Sequence, residues 1–184
     1  MSEPTGFRLQ VLNVASRIWN RPPTREYVSR VESLLFMTVA HESGGFQWRR
    51  QQRWQGGKAV GPLRDYVGAY GLIQMERDTV AWMLDWLQDR PDVQTRCQRY
   101  LADFGDPEGM AQLAYGSPED VCKRLETPDG DTIGLALCRL RYLVVPEAIP
   151  AGIESQGAYA KRYYNTDAGR ATPQDYVEAY RRMW

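Results

Sequence analysis

The chain has 184 residues, 43% hydrophobic and 25% charged, a composition typical of one compact domain with a sizeable core. Its 23 Lys and Arg residues balance 23 Asp and Glu residues, which argues against a basic nucleic-acid-binding protein. No apolar run approaches the ~18 residues of a membrane-spanning helix, and the N-terminus lacks the pattern of a secretory signal. We therefore expect no nucleic-acid partner, no stable membrane insertion and no signal peptide.

Helical periodicity runs through most of the chain. The first helix is predicted over 7–19 and the second over 25–42, where Thr24 is the N-cap and Gly44-Gly45 follow the end. Further helices are predicted over 78–88, 91–104, 107–115, 118–125, 132–142, 155–164 and 173–183. Between 46 and 70 the periodicity fails, so we expect a long loop that can hold a small β-hairpin. The predicted fold class is mostly α, in a single domain over 1–184.

The cysteines and the single histidine exclude two classes of protein. Cys97, Cys122 and Cys138 are too few for a disulfide scaffold, and no CxxC pair accompanies them. With His41 as the one histidine, a structural zinc site is also excluded. We expect reduced, buried thiols, and we expect neither a metal site nor a cofactor.

Glu42 is unusual because it shares the apolar face of its helix. It follows Val39 by three residues and Leu35 by seven, which places the carboxylate over buried surface. Loss of solvation raises a carboxyl pKa towards the range useful for proton donation, and the negative end of the helix dipole acts in the same direction. Glu42 is therefore the candidate catalytic acid.

Two motifs lie in order along the chain. The first is Ala40-His41-Glu42-Ser43-Gly44-Gly45-Phe46, and the second, starting 26 residues after Glu42, is Gly68-Ala69-Tyr70-Gly71-Leu72-Ile73-Gln74-Met75. A helix ending in Glu-Ser and then Gly-x-x-Gly-Leu-Met-Gln resembles the lysozyme superfamily, most closely the soluble-type lytic transglycosylases and their phage-encoded relatives. Ile73 stands in the Met place. The family's third element, a Tyr-Asn pair, is half present, since Tyr115 is followed by Gly116.

The resemblance implies a lysozyme-like fold and cleavage of the β-1,4 bond between MurNAc and GlcNAc in peptidoglycan. Glu42 would be the catalytic acid, and the products would carry 1,6-anhydro-MurNAc ends. The residues implied to bind substrate are Ser43, Trp48, Tyr70, Gln74 and Tyr115. The expected partners are glycan strands and other virion proteins. The expected location is a phage virion or the host cytoplasm, with action in the host periplasm for phage entry or host lysis.

Two alternatives remain open on the sequence. A two-carboxylate muramidase or a chitinase-like endolysin would use Asp65 or Glu76 beside the catalytic acid. An inactive virion structural or glycan-binding module would keep the fold without the reaction.

The loop between the motifs is basic. It contains Arg49, Arg50, Arg53, Lys58 and Arg64 against one acid, Asp65. We expect either a surface that attracts carboxylates of the cell wall or a solvated polar loop.

Overall fold

The computed structural model describes residues 6–19, 22–55, 58–63, 68–165 and 170–184, with Trp54 described by its backbone alone. In this part of the chain the helices are α1 Phe7–Arg17, α2 Arg25–Glu42, α3 Arg77–Gln88, α4 Pro91–Asp103, α5 Pro107–Tyr115, α6 Pro118–Leu125, α7 Asp131–Leu143, α8 Ile153–Ala160 and α9 Pro173–Met183. A 3₁₀ turn, Pro128–Gly130, precedes α7, and a π-helical segment, Lys161–Asn165, continues α8. The mostly α fold class is confirmed.

Side-chain caps and prolines set the starts of the helices. Thr24 accepts a hydrogen bond from the backbone N–H of Tyr27 (3.2 Å), and Ser117 accepts one from the backbone of Asp120 (3.1 Å). Proline occupies the first turn of α4, α5, α6 and α9, where its missing N–H costs nothing. These local signals explain why most predicted helix boundaries agree with the structure within a residue or two.

Two short antiparallel sheets lie in the region predicted as a loop and directly after it. Strands β1 Gln52–Gln55 and β2 Lys58–Pro62 form a hairpin, which confirms the predicted one. Strands β3 Ala69–Tyr70 and β4 Met75–Glu76 form a second pair around the turn of the second motif. In that turn Gly71 has φ 73° and Gln74 has φ 44°, left-handed conformations that glycine adopts without strain and glutamine rarely adopts.

Helix α7 lies at the centre of the core. Most of its residues are buried, and Arg139 among them is fully buried. Arg139 donates from Nε to the carbonyl of Ile18 (2.9 Å) and from Nη2 to the hydroxyl of Tyr27 (2.6 Å). One side chain thus ties α7 to the end of α1 and the start of α2.

All three cysteines are free thiols in buried positions, as predicted. Burial raises the pKa of Cys97 and that of Cys122 to about 12 each. Among the described residues, no helix combines the length and the apolar character needed to cross a membrane.

Helix α9 begins at a reciprocal capping box. The backbone N–H of Thr172 donates to Asp175 Oδ2 (2.7 Å), and the backbone N–H of Asp175 donates to Thr172 Oγ1 (3.3 Å). These bonds satisfy two N–H groups that a helix start otherwise leaves without partners.

We predict that Thr172→Ala lowers the free energy of unfolding by about 1 kcal/mol, the usual cost of losing such a cap. Urea denaturation measures the change, and Thr172→Ser, which keeps the hydroxyl, is the matched control. Equal loss in the Ala and Ser variants would contradict the capping role.

Candidate functional site

A cleft of about 1250 Å³ opens at the C-terminal end of α2. Its walls come from the α2 end and the chain to β1, from β3 and β4 with the start of α3, from Arg141 of α7, from the π-helical segment, and from the start of α9. Parts of the chain that are distant in sequence therefore meet at one site.

Glu42, the last residue of α2, is half-buried in the wall of this cleft. Burial raises the pKa of its carboxyl from 4.5 to about 7. Hydrogen bonds with Tyr176 and Asn165 and the charge of Lys161 act in the opposite direction, but the loss of solvation outweighs them. The prediction that Glu42 is a desolvated carboxyl with a raised pKa agrees with this geometry.

Tyr176 of α9 is the residue in closest contact with this carboxyl. Its hydroxyl donates to Glu42 Oε1, and its side chain is fully buried. The ring of His41 lies against it, with 4.0 Å between ring centroids. Burial also lowers the pKa of His41, which keeps that imidazole neutral near pH 7. Tyr176 therefore holds the Glu42 carboxyl in place, beside a neutral histidine.

The π-helical segment supplies two further cleft residues, Tyr164 and Asn165. Tyr164 donates from its hydroxyl to the carbonyl of Ile73 in the second motif (2.6 Å), and Lys161 Nζ donates to Asn165 Oδ1 (3.1 Å). π-Helical turns are rare and occur frequently at functional sites. The segment thus joins the turn of the second motif to the carboxyl of Glu42.

The cleft contains Tyr164 and Asn165 and lacks Tyr115, which was predicted to bind substrate. Tyr115 is 93% exposed and does not line the cleft, whereas Tyr164-Asn165 does. Tyr164 is also the only tyrosine in the sequence that is followed by asparagine. The sequence reasoning did not assign this dipeptide to the site, although a tyrosine followed by an asparagine was the available signal.

Four other residues were predicted to bind substrate. Trp48 and Gln74 line the cleft. Tyr70 is buried, with the guanidinium of Arg50 4.1 Å from its ring centroid. Ser43 is fully buried, and its Oγ donates to the carbonyl of Val39 (2.6 Å) and accepts from the backbone N–H of Phe46 (2.7 Å). Ser43 and Tyr70 are therefore placed as supports of the cleft wall, while Trp48 and Gln74 face the cleft itself.

The acidic residues that could act beside Glu42 differ in whether they line the cleft. Glu76 lines the cleft, and so does Asp175, which the sequence did not single out. Asp78, two residues after Glu76, has a side chain that is 94% exposed and pairs with Arg77 outside the cleft. Asp65 lies outside the described residues. Of the two second carboxylates that the sequence proposed, Glu76 is therefore the one that the structure places in the cleft.

Two arginines of the loop, Arg49 and Arg50, form ion pairs with carboxylates of the chain. Arg49 pairs with Asp131 through two hydrogen bonds (2.6 and 3.2 Å), and Arg50 pairs with Glu126 (3.3 Å). Arg64 lies outside the described residues, and Arg53 and Lys58 are exposed on the hairpin.

Arg49 and Arg50 were expected either to attract carboxylates of the cell wall or to be solvated; in the structure a carboxylate of the chain itself holds each guanidinium. Arg50 nevertheless lines the cleft, together with two other arginines, Arg141 and Arg170.

Among the described residues, no group of three or more His, Cys, Asp or Glu side chains is placed to hold a metal ion. No protein-family model, curated protein or solved structure matches the chain. The geometry of the cleft is therefore the basis on which its function is argued.

The raised pKa of Glu42 makes stability depend on pH. An acid whose pKa is raised by folding contributes stability that is fully present below its unfolded pKa, here 4.5, and lost as pH rises through the folded value of about 7. The loss amounts to about 3 kcal/mol by the standard conversion of pKa shifts.

We predict that Glu42→Gln, which cannot ionise, is more stable than the wild type at about pH 8 and close to it at about pH 4.5. Urea denaturation at both pH values measures the difference. Asp85→Asn, at an exposed position on α3, is the control and should change stability equally at both. A pH-independent effect of Glu42→Gln would show that Glu42 ionises normally.

Proposed function

We propose that the chain cleaves the β-1,4 bond between MurNAc and GlcNAc in peptidoglycan as a lytic transglycosylase. The observation that carries the proposal is one carboxyl with a pKa of about 7 in the wall of a cleft of about 1250 Å³. Such a volume exceeds the ~300–1,000 Å³ of pockets for small molecules, which favours a polymeric substrate. The resemblance of the two motifs to lytic transglycosylases supports the same substrate.

In the proposed reaction Glu42 acts twice. As an acid it protonates the glycosidic oxygen while the C1–O bond breaks and positive charge develops at C1 of MurNAc. As a base it then takes the proton of the C6 hydroxyl of the same sugar, whose oxygen bonds to C1 and closes the 1,6-anhydro ring. No water and no second carboxylate are needed, and the carboxyl returns to its protonated form.

The neighbours of Glu42 fit this double role. A carboxyl with a pKa near the working pH is present in both protonation states, which general acid and general base catalysis both require. The Tyr176 hydroxyl and the Asn165 amide orient the carboxyl. Trp48 offers a ring on which a sugar can stack, and Gln74 offers an amide for its substituents.

The proposed location follows from the substrate and from the resemblance to phage proteins. Peptidoglycan would be reached in the host periplasm, either from a phage virion or from the host cytoplasm, during entry or lysis. Other virion proteins are the proposed protein partners.

A two-carboxylate muramidase or chitinase-like hydrolase is the second candidate. Glu76 favours it, since this residue lines the same cleft as Glu42. In that reaction Glu76 would act as nucleophile or would activate a water molecule, and the product would be an ordinary reducing end.

We predict that Glu42→Gln reduces solubilisation of peptidoglycan at least about a hundredfold, the usual size of a general-acid contribution. Turbidity loss of a cell-wall suspension measures the rate, with Asp85→Asn as the control that keeps wild-type activity. Wild-type rates in Glu42→Gln would refute the assignment. A wild type that binds the wall and leaves it intact would instead be a binding module.

We also predict that Glu76→Gln keeps most of the activity and still releases 1,6-anhydro ends. Mass spectrometry of the digest distinguishes these from reducing ends, which are heavier by one water. Loss of activity in Glu76→Gln, together with reducing ends from the wild type, would establish the two-carboxylate hydrolase.

A further inference from the structure

Two cleft arginines have unused hydrogen-bond donors. Arg141 of α7 and Arg170 before α9 both line the cleft. Within the described part of the chain neither guanidinium has an ion pair or a hydrogen bond. A guanidinium presents five N–H donors in a planar fork that matches the two oxygens of a carboxylate. We propose that Arg141 and Arg170 bind carboxylate groups of the glycan substrate, so that the cleft selects an acidic glycan over a neutral one; this rests on the proposed function.

Three other arginines have partners within the fold. Arg49 is held by Asp131, Arg50 by Glu126, and the buried Arg139 by a carbonyl and a tyrosine hydroxyl. Those three guanidinium groups stabilise contacts between parts of the chain. Neither Arg141 nor Arg170 has a hydrogen-bond or ion-pair partner among the described residues, so their N–H donors are free for a ligand.

The surroundings of Arg141 suit a sugar that carries an acidic substituent. Its guanidinium carbon lies 5.7 Å from the ring centroid of Trp82, whose side chain is 43% exposed. Trp82 follows Thr79 by one helical turn on α3, and Thr79 lines the cleft. An exposed indole face next to a guanidinium fork offers stacking for a sugar ring and hydrogen bonds for a carboxylate.

Two anions share the cleft with the arginines, and each lies at a helix N-terminus. Asp175 Oδ2 accepts from the backbone N–H and the hydroxyl of Thr172 in the capping box of α9. Glu76 is the N-cap residue of α3, where the helix dipole stabilises a carboxylate. Neither acid forms an ion pair with Arg141 or Arg170. The arginine forks therefore remain available to a carboxylate from outside.

The test separates binding from turnover by using Glu42→Gln as the parent protein. Isothermal titration measures Kd for a disaccharide–tetrapeptide muropeptide, for the same compound with its carboxyl groups amidated, and for a neutral GlcNAc tetramer. Adding Arg141→Gln and Arg170→Gln should raise Kd for the free-carboxylate muropeptide at least about tenfold, the effect of losing one charge-assisted hydrogen bond. Kd for the two ligands without carboxylates should not change.

Two further variants of the parent make the test specific. Arg141→Lys with Arg170→Lys keeps both charges and should lose less affinity, since ammonium groups attract carboxylates without the fork. Arg25→Gln with Arg99→Gln removes two exposed arginines that do not line the cleft and should leave every Kd unchanged.

An equal rise in Kd for ligands with and without carboxylates would overturn the proposal, because the arginines would then shape the cleft without recognising the carboxylate charge. Unchanged affinities in the Gln variant, or no glycan binding by the parent, would overturn it as well. The proposed function fails separately, if the wild type leaves peptidoglycan uncut while the preference for the carboxylate persists. Cleavage without that preference would overturn this inference alone.

Discussion

The contact between the end of α2 and the start of α9 is the constraint on which the cleft depends. Tyr176 reaches across 134 residues of sequence to donate to Glu42, and both groups are removed from most of the solvent. Burying a carboxyl lowers the free energy of unfolding unless the group is hydrogen-bonded or protonated, and the Glu42 carboxyl can be both. The packing that desolvates Glu42 therefore also supplies the donor that keeps it in place.

Helix α7 both stabilises the core and contributes a residue to the cleft. Arg139 ties this helix to α1 and α2, and the hydroxyl of Tyr142 lies 2.6 Å from that of Thr38 inside α2. At its first residue, Asp131 holds Arg49 of the segment that leads into the hairpin. Arg141 extends from the same rigid helix into the cleft. A side chain on a helix so firmly held is positioned more accurately than one on a loop.

Local signals predicted most of the fold. Caps such as Thr24 and Thr172 and prolines at first turns act within a few residues, so their effect can be recognised in the sequence alone. The π-helical segment was predicted as ordinary helix, because a single wide turn leaves no periodic pattern of its own. The lysozyme-like arrangement of the helices stays a prediction, since it depends on how distant elements pack.

The site was predictable only in part, for the same reason. Glu42 could be found because its position on the apolar face is a local property of α2. Tyr176 and Arg141 could not, since each reaches the cleft through packing between elements that are far apart in sequence. The same limit applies to Tyr164-Asn165, which is visible as a dipeptide but is brought to Glu42 only by the fold.

The pKa of Glu42 is a balance that these long-range contacts set. Burial alone would favour a permanently protonated acid, which could donate a proton to the leaving oxygen but could not later accept one efficiently. Tyr176, Asn165 and Lys161 each lower the pKa, and together they hold it at about 7 instead of higher. Two of the three come from the π-helical segment, Lys161 at its first residue and Asn165 at its last, with a hydrogen bond between them. In a reaction that uses one carboxyl first as acid and then as base, this segment would set how well Glu42 performs both steps.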